Sequence, residues 1–358
     1  MTREPVLFRV DGTRASGWEG LARCTGFASA LQRRRRPCHF VSALEPATVL
    51  ASTIKRGDNQ WIPARSAVGT PEDLEQTIRE IRRTRPIAVV VDSPQCSPDY
   101  LAELAALVPT VIAFDAHGAG YRFPSQLVVH PLLNKEWANY DVCPGTQVLA
   151  GKRYALVRPG LRRIRTIRGQ EPQEPFRVVL AFGDDPHNWT TKMATMLMAM
   201  SKLERIDLLV RSAHPAFAEW QALAEEHKGR ISIASEVSEM AKRVSRCHFA
   251  ICEGNGMSLE LACVGIPMLT IVQDETYWAT AQHLEEEGAA IHLGWHEAVT
   301  DRTLRMAVEN MLDDAAERRM MSRCGRALID GRGPDRLVNA LEILVYPQRH
   351  QQQALEAA

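Results

Sequence analysis

The sequence predicts an α/β fold made of two consecutive doubly wound domains, on three observations. Short, continuous apolar runs alternate with stretches of helical spacing, the pattern of parallel strands buried on both faces. The alternation stops in a polar stretch at residues 160–175 and then restarts. Late in the chain, within residues 249–293, an apolar strand enters a Gly-Asn-Gly turn and then a helix, the layout of a nucleotide-binding βαβ unit. These observations divide the chain into an N-terminal α/β domain (1–159), a linker (160–175), a C-terminal nucleotide-binding domain (176–345) and a disordered tail (346–358). Two such domains imply a ligand cleft between them.

Val6–Val10 reads as the first strand, residues 11–20 as a loop, 21–31 as a helix and 38–44 as the second strand. Thr70 is the natural N-cap of a helix that has Pro71 in its first position and runs to about Thr84. Residues 87–92 form an apolar strand, Ser97 opens another helix, and strands follow at 111–114 and Leu127–Val129. The linker holds four arginines and two prolines. The second series begins with a strand at 178–181, a Gly-Asp-Asp-Pro-His-Asn turn at 183–188 and a helix from Thr190, capped by Asn188 or by Thr190 itself. A strand at 206–210, a helix at Phe217–Glu226 and segments at 231–233, 240–244 and Phe249–Cys252 lead to the glycine turn. Beyond it, Gly265 and Pro267 admit a last apolar strand ending at Val272.

The 358 residues suffice for two ordinary cores, and 45% hydrophobic with 24% charged residues is a globular composition. Lysine plus arginine equals aspartate plus glutamate at 43 each, so no overall field favours nucleic acid as a partner. No apolar run approaches the roughly 20 residues of a membrane span, and the N-terminus enters a strand without a signal-peptide pattern. The eight cysteines are scattered without a C-x-x-C pair, which reads as reduced thiols in the cytoplasm, with no metal expected.

The glycine turn carries the chemistry. Gly254, Asn255 and Gly256 would bring backbone N–H groups close to a diphosphate, and the following helix start adds roughly half a positive charge. Glu260, about one turn further on, is placed to accept hydrogen bonds from a ribose diol, or else is a glutamate stabilised by the helix dipole. Gly183 and His187 belong to the turn that opens the second domain, where His187 either faces a phosphate or sits in solvent.

Several motifs, in order, resemble the UDP-sugar hydrolase of pseudaminic acid biosynthesis and its spore-coat-polysaccharide relatives, the PseG/SpsG-like family of GT-B architecture. They are Arg9-Val-Asp11, Gly17-Trp-Glu-Gly-Leu-Ala-Arg23-Cys24, Val90-Val-Asp92-Ser93, Ile112-Ala-Phe-Asp115, residues 151–159, Gly183-Asp-Asp-Pro-His-Asn188 and the Glu260 segment. The resemblance covers residues 6–344 and extends to the glycosyltransferase that adds N-acetylglucosamine to lipid-linked peptidoglycan precursors. It implies two Rossmann-like domains facing across a cleft, a UDP-sugar as substrate with no further cofactor, and cleavage of the anomeric C–O bond with release of UDP. Water or an acceptor hydroxyl would receive the sugar, in surface glycan or nonulosonic acid biosynthesis.

The family's catalytic histidine precedes the arginine that aligns with Arg23, and that position here is Gly20, which has no group to move a proton. Glu19, Asp11 and His117 are the candidate substitutes. Glu19 would act if burial raised its pKa, and otherwise caps or faces solvent. Asp11 either orients the sugar or bonds the loop that follows. A catalytically degenerate UDP-sugar-binding protein is the alternative. Relatives also carry Asp-Asn-Gln where this chain has Glu275-Thr-Tyr277, and Trp18 and Tyr277 stand either as a stacking wall or as space-fillers. The run Arg33 to Arg36 complements the end of the first helix or touches acidic headgroups. A dinucleotide-binding dehydrogenase is excluded, because Gly12, Gly17 and Gly20 do not make G-x-G-x-x-G after the first strand.

Overall fold

The computed structural model describes residues 3–118, 122–133, 140–169, 171–173, 175–235 and 237–346. The chain divides into two compact units. Of the described residues, the first unit takes those up to 131, 140–156 and 332–346, and the second takes 132–133 and 157–331.

In the first unit a seven-stranded parallel sheet has the order β3-β2-β1-β4-β5-β6-β7. Its strands are β1 (Val6–Val10), β2 (Cys38–Ser42), β3 (Gln60–Pro63), β4 (Ala88–Asp92), β5 (Thr110–Phe114), β6 (Leu127–Val129) and β7 (Gln147–Leu149). Val6 pairs with both Cys38 and Ala88, which sets β1 in the middle. The helices are α1 (Glu19–Arg33), α2 (Ala47–Arg56), α3 (Pro71–Thr84) and α4 (Pro98–Ala105). One face of the sheet buries Phe8, stacked on Phe40 at 4.5 Å, together with Phe27 from α1, and the other buries Leu7, Val89 and Tyr100. Arg9 interrupts an otherwise apolar strand and is wholly buried. It is affordable because Asp73, Asp11 and the Val41 carbonyl take its N–H groups.

The second unit holds a six-stranded parallel sheet in the order β10-β9-β8-β11-β12-β13. Its strands are β8 (Phe176–Ala181), β9 (Leu203–Leu209), β10 (Ile231–Ala234), β11 (Phe249–Cys252), β12 (Met268–Val272) and β13 (Ala290–Trp295). Around it lie α5 (Pro159–Ile167), α6 (Trp189–Met198), α7 (Phe217–Glu226), α8 (Val237–Val244), α9 (Gly256–Val264), α10 (Trp278–Glu286), α11 (Asp301–Asp313) and α12 (Ala315–Leu328). The last helix, α13 (Gly333–Val345), returns to the first unit.

Four sequence expectations differ from the structure. The first half of the stretch expected as a linker, 160–175, belongs to α5, and Arg165 fixes that helix by donating to the carbonyls of Cys263, Ile329 and Arg326. The second domain does not extend to 345, because α13 buries Leu337, Val338 and Leu341 in the core around Phe8 and Phe27. The arginine run complements the end of α1 through Arg33, but it is not solvated throughout: Arg33 also pairs with Asp335, Arg34 with Glu342, and Arg36, 2% exposed, donates to the Glu4 carbonyl. Asn188 occupies the N-cap position of α6, but its side chain does not cap. Asp185 accepts from the N–H groups of Trp189 and Thr190 instead, at 2.7 and 2.8 Å. Of the expected tail, residues 347–358 lie outside the described residues.

Candidate functional site

In an open parallel sheet, ligands gather beyond the carboxyl ends of the strands where the winding reverses. The second unit reverses between β8 and β11. The turn after β8 passes through Gly183 (φ 72°) and Asp185 (φ 40°), and the one after β11 is Glu253-Gly-Asn255. Asn255 is a buried N-cap whose side chain accepts from the Met257 N–H at 3.0 Å, so α9 starts at Gly256 with its positive end facing this crevice. Gly254 is required by packing: a Cβ there would meet the Tyr277 carbonyl oxygen at 2.6 Å and Ala281 at 2.8 Å.

Next to this turn lies Gln273, at the end of β12. Its backbone N–H donates to Glu253, and its Oε1 accepts from the His187 N–H. Its Nε2 is buried and makes no hydrogen bond among the described residues. His187 is exposed and stacks on His296 at 4.1 Å. Burial, followed by the neighbouring His187, lowers the His296 pKa. One crevice thus collects a helix N-terminus, an unsatisfied amide donor and two imidazoles.

Glu260 is buried on α9, and Arg158 holds it. The guanidinium donates Nη2 to Oε2 at 2.5 Å and Nε to both oxygens, and the Arg158 backbone N–H donates to Oε1 at 2.7 Å. Both carboxylate oxygens are therefore engaged from residue 158, a partner 102 positions away that sequence spacing does not reveal.

The first unit reverses between β1 and β4, which brings Asp11 and Asp92 to one edge. Asp11 accepts from Arg9 and from the Ala43 N–H, so it bonds its own strand and the loop after β2. Asp92 accepts a bidentate pair from Arg23 at 2.9 and 3.1 Å. A Cβ on Gly20 would lie 3.2 Å from Asp92 Oδ1, so this is the face of α1 that meets the sheet edge. Glu19, the first residue of α1, projects about 100° around the helix from that face. Trp18 is buried with its Nε1 donating to the Glu45 carbonyl, which makes it a packing residue.

At the ends of β5 and β6, Asp115 accepts the His117 N–H and, at 2.6 Å, the Tyr140 hydroxyl. That hydroxyl lies 3.1 Å from Nδ1 of His130. Because Tyr140 donates to Asp115, it accepts from His130 Nδ1–H, leaving a bare lone pair on Nε2, which is buried and makes no hydrogen bond among the described residues. Burial lowers the His130 pKa, against the pull of Asp115. The His117 side chain is exposed beside this network.

The chain is 25% identical over 224 residues, 63% of its length, to the spore coat polysaccharide biosynthesis protein SpsG of Bacillus subtilis. It spans about half the length of the curated relatives it matches, 58% of SpsG and 44% of a second protein, from Methanocaldococcus jannaschii. No family model matches it. Among solved structures, MnaA of S. aureus, solved with UDP, superimposes with a TM-score of 0.64 at 15% identity, over 94% of this chain and 96% of that one. MurG of Acinetobacter baumannii does so with a TM-score of 0.61 at 13% identity, over 95% and 99%. These likenesses identify two Rossmann-like domains of the GT-B fold.

The sequence located the turn at 254–256 and the turn at 183–188, and the structure brings His187 of the latter to Gln273 beside the former. It missed Gln273, His296, Arg158, His130 and Tyr140. A polar residue ending an apolar strand was the available signal for Gln273 and for His130.

Proposed function

We propose that the chain is a nucleotide-sugar enzyme of glycan biosynthesis that breaks the anomeric C–O bond of a UDP-sugar and releases UDP. The sugar passes to water or to an acceptor hydroxyl, with surface polysaccharide or nonulosonic acid as the product class and the cytoplasm as the setting. The observation that carries the reading is the unsatisfied Nε2 of Gln273 beside the start of α9. A buried amide donor without an acceptor is costly, and a phosphate oxygen there removes the cost. The α9 dipole and the Gly254–Asn255–Gly256 backbone would hold the diphosphate and stabilise the charge that develops as UDP leaves. His187 and Gly183 would form the opposite wall. SpsG, named for polysaccharide biosynthesis, and MnaA, solved with UDP, support the substrate class.

The base in this reading is His130. Burial favours its neutral ring, Tyr140 and Asp115 fix its tautomer, and Nε2 is left to accept a proton from water or an acceptor hydroxyl. It replaces the imidazole that Gly20 lacks, and His117 belongs to the same network through Asp115. Asp11 and Glu19 are the weaker candidates, since Asp11 is committed to Arg9 and Glu19 lies off the face marked by Gly20. Gly20 supports a second reading, a UDP-sugar binder without turnover.

Calorimetric titration with UDP, followed by a panel of UDP-sugars scored for UDP release, tests both readings. We expect Gln273→Ala to weaken UDP binding at least about tenfold, and His130→Asn to abolish release while leaving UDP affinity unchanged. Binding without release from any donor selects the second reading, and indifference to UDP ends both.

A further inference from the structure

The amino edge of the second sheet, away from the nucleotide crevice, holds a cavity of about 520 Å³, within the range of small-molecule sites. It lies below β11 and β12: His248 precedes one strand and Pro267 the other, while Glu253 and Gln273 follow them at the far end. Its lining is strongly basic. Arg168, Arg318, Arg319 and Arg323 face it, against the single carboxylate of Glu171 among its described lining residues.

Two of the arginines are built into the floor. Arg318, 5% exposed, donates to the carbonyls of Met311 and Leu312 at the end of α11 and pairs with Glu171. Arg168, 8% exposed, donates to the carbonyls of Val244 and Ser245 at the end of α8. Helix-end capping accounts for these two. It does not account for Arg319 and Arg323, which extend from α12 and have no partner among the described residues.

His248 supplies the second, independent observation. Its ring is 1% exposed, and its Nδ1 accepts the Arg177 N–H at 3.1 Å, so the proton sits on Nε2. That Nε2–H is a buried donor without a well-formed hydrogen bond among the described residues, although the Pro172 backbone interacts with the ring and favours its protonated form. A buried neutral donor ringed by guanidinium groups lacks an acceptor rich in oxygen lone pairs. Among the described residues no carboxylate fills the place: Glu171 goes to Arg318.

We propose that this cavity is a second ligand site, which binds the phosphate group of a small organic phosphate. Nε2–H of His248 and the guanidinium groups of Arg319 and Arg323 hold the phosphate oxygens, Arg168 and Arg318 supply fixed positive charge behind them, and Ser322 adds a hydroxyl at the wall. The volume exceeds that of a bare phosphate and leaves room for a sugar or a nucleoside. The site is independent of the nucleotide crevice, because β11 and β12 separate the two by their full length.

The test is calorimetric titration of the full chain with inorganic pyrophosphate. Wild type should bind it saturably, and R319Q/R323Q, which alters exposed side chains only, should bind at least about tenfold more weakly. Gln273→Ala, in the other crevice, should leave pyrophosphate binding at this site unchanged, so failure here is distinguishable from failure to bind UDP. Absence of saturable binding, or equal binding by the double variant, overturns the proposal. Uridine monophosphate and glucose 1-phosphate, titrated into Gln273→Ala with and without R319Q/R323Q so that the nucleotide crevice is discounted, separate a nucleotide from a sugar phosphate. If neither binds more tightly than inorganic phosphate, the organic part of the assignment is overturned.

Discussion

Glu260 and Asp11 both look, in sequence, like carboxylates free to meet sugar hydroxyls, and both turn out to be held by an arginine. Arg9 lies two residues from Asp11 on the same strand, so that pairing had a local trace; Arg158 lies 102 residues from Glu260 and left none. The Glu260–Arg158 pair is mostly buried, with side-chain exposures of 5% and 16%. Removing one member strands the other's charge away from water, which costs about 3 kcal/mol for a pair that keeps some solvent access. Glu260→Ala should therefore destabilise the second unit by about that amount, read as a lower midpoint in urea. Arg158→Met with Glu260→Leu should recover most of the loss, because an apolar pair of similar volume needs no desolvation. UDP titration of this double variant then isolates the ribose role: undiminished affinity would remove Glu260 from the site, and a loss of at least about tenfold would restore it.

At the scale of elements, the central strands were legible because they are buried on both faces: Ala88–Asp92 and Phe249–Cys252 read as unbroken apolar runs. The helix start at Thr70-Pro71 was legible from its cap, which accepts the Asp73 N–H as its chemistry requires. What escaped was organised by distant contacts. The short edge strand β3 is partly exposed and lacks a long apolar run, and α13 has an apolar stripe that does not say which sheet it joins. The same long-range logic turned the arginines of α1 into a seam for α13, and its apolar and polar halves should differ sharply in weight. Leu341 is 1% exposed in the first unit's core, so Leu341→Ala should cost about 2–5 kcal/mol. Arg33, whose pair with Asp335 is about half exposed, should cost under about 1 kcal/mol when changed to alanine. Chemical denaturation of the two variants checks the contrast, and equal losses would mean that charge rather than apolar burial docks the helix.

Over the whole molecule, the buried polar groups that the two proposals use also set how the protein responds to acid. Burial lowers the pKa of His130 in the first unit and of His248 in the second, each against a nearby carboxylate, Asp115 and Glu171 respectively. Burial likewise lowers His39 and His292, which are less enclosed. A histidine whose folded pKa is depressed takes up its proton more readily in the unfolded chain. Between the folded pKa and the unfolded value near 6.5 the unfolded state binds more protons, so stability rises with pH through this window and is lost as pH falls below about 6.5. Each buried ring then removes at most about 1.4 kcal/mol per pH unit, which is the upper bound on what it contributes between pH 6.5 and 5.5. For units of this size that bound corresponds to a fall of no more than about 4 °C in Tm per ring. Differential scanning calorimetry at pH 7.5, 6.5 and 5.5 should show the decline beginning near 6.5, and His130→Asn should reduce its slope. A bound phosphate in the basic cavity reverses the sign locally, since an anion beside His248 favours the protonated ring, so pyrophosphate should flatten the decline in wild type but not in R319Q/R323Q. A Tm unchanged between pH 7.5 and 5.5 would mean that the buried imidazoles gain their protons without unfolding, through solvent access that their burial does not provide.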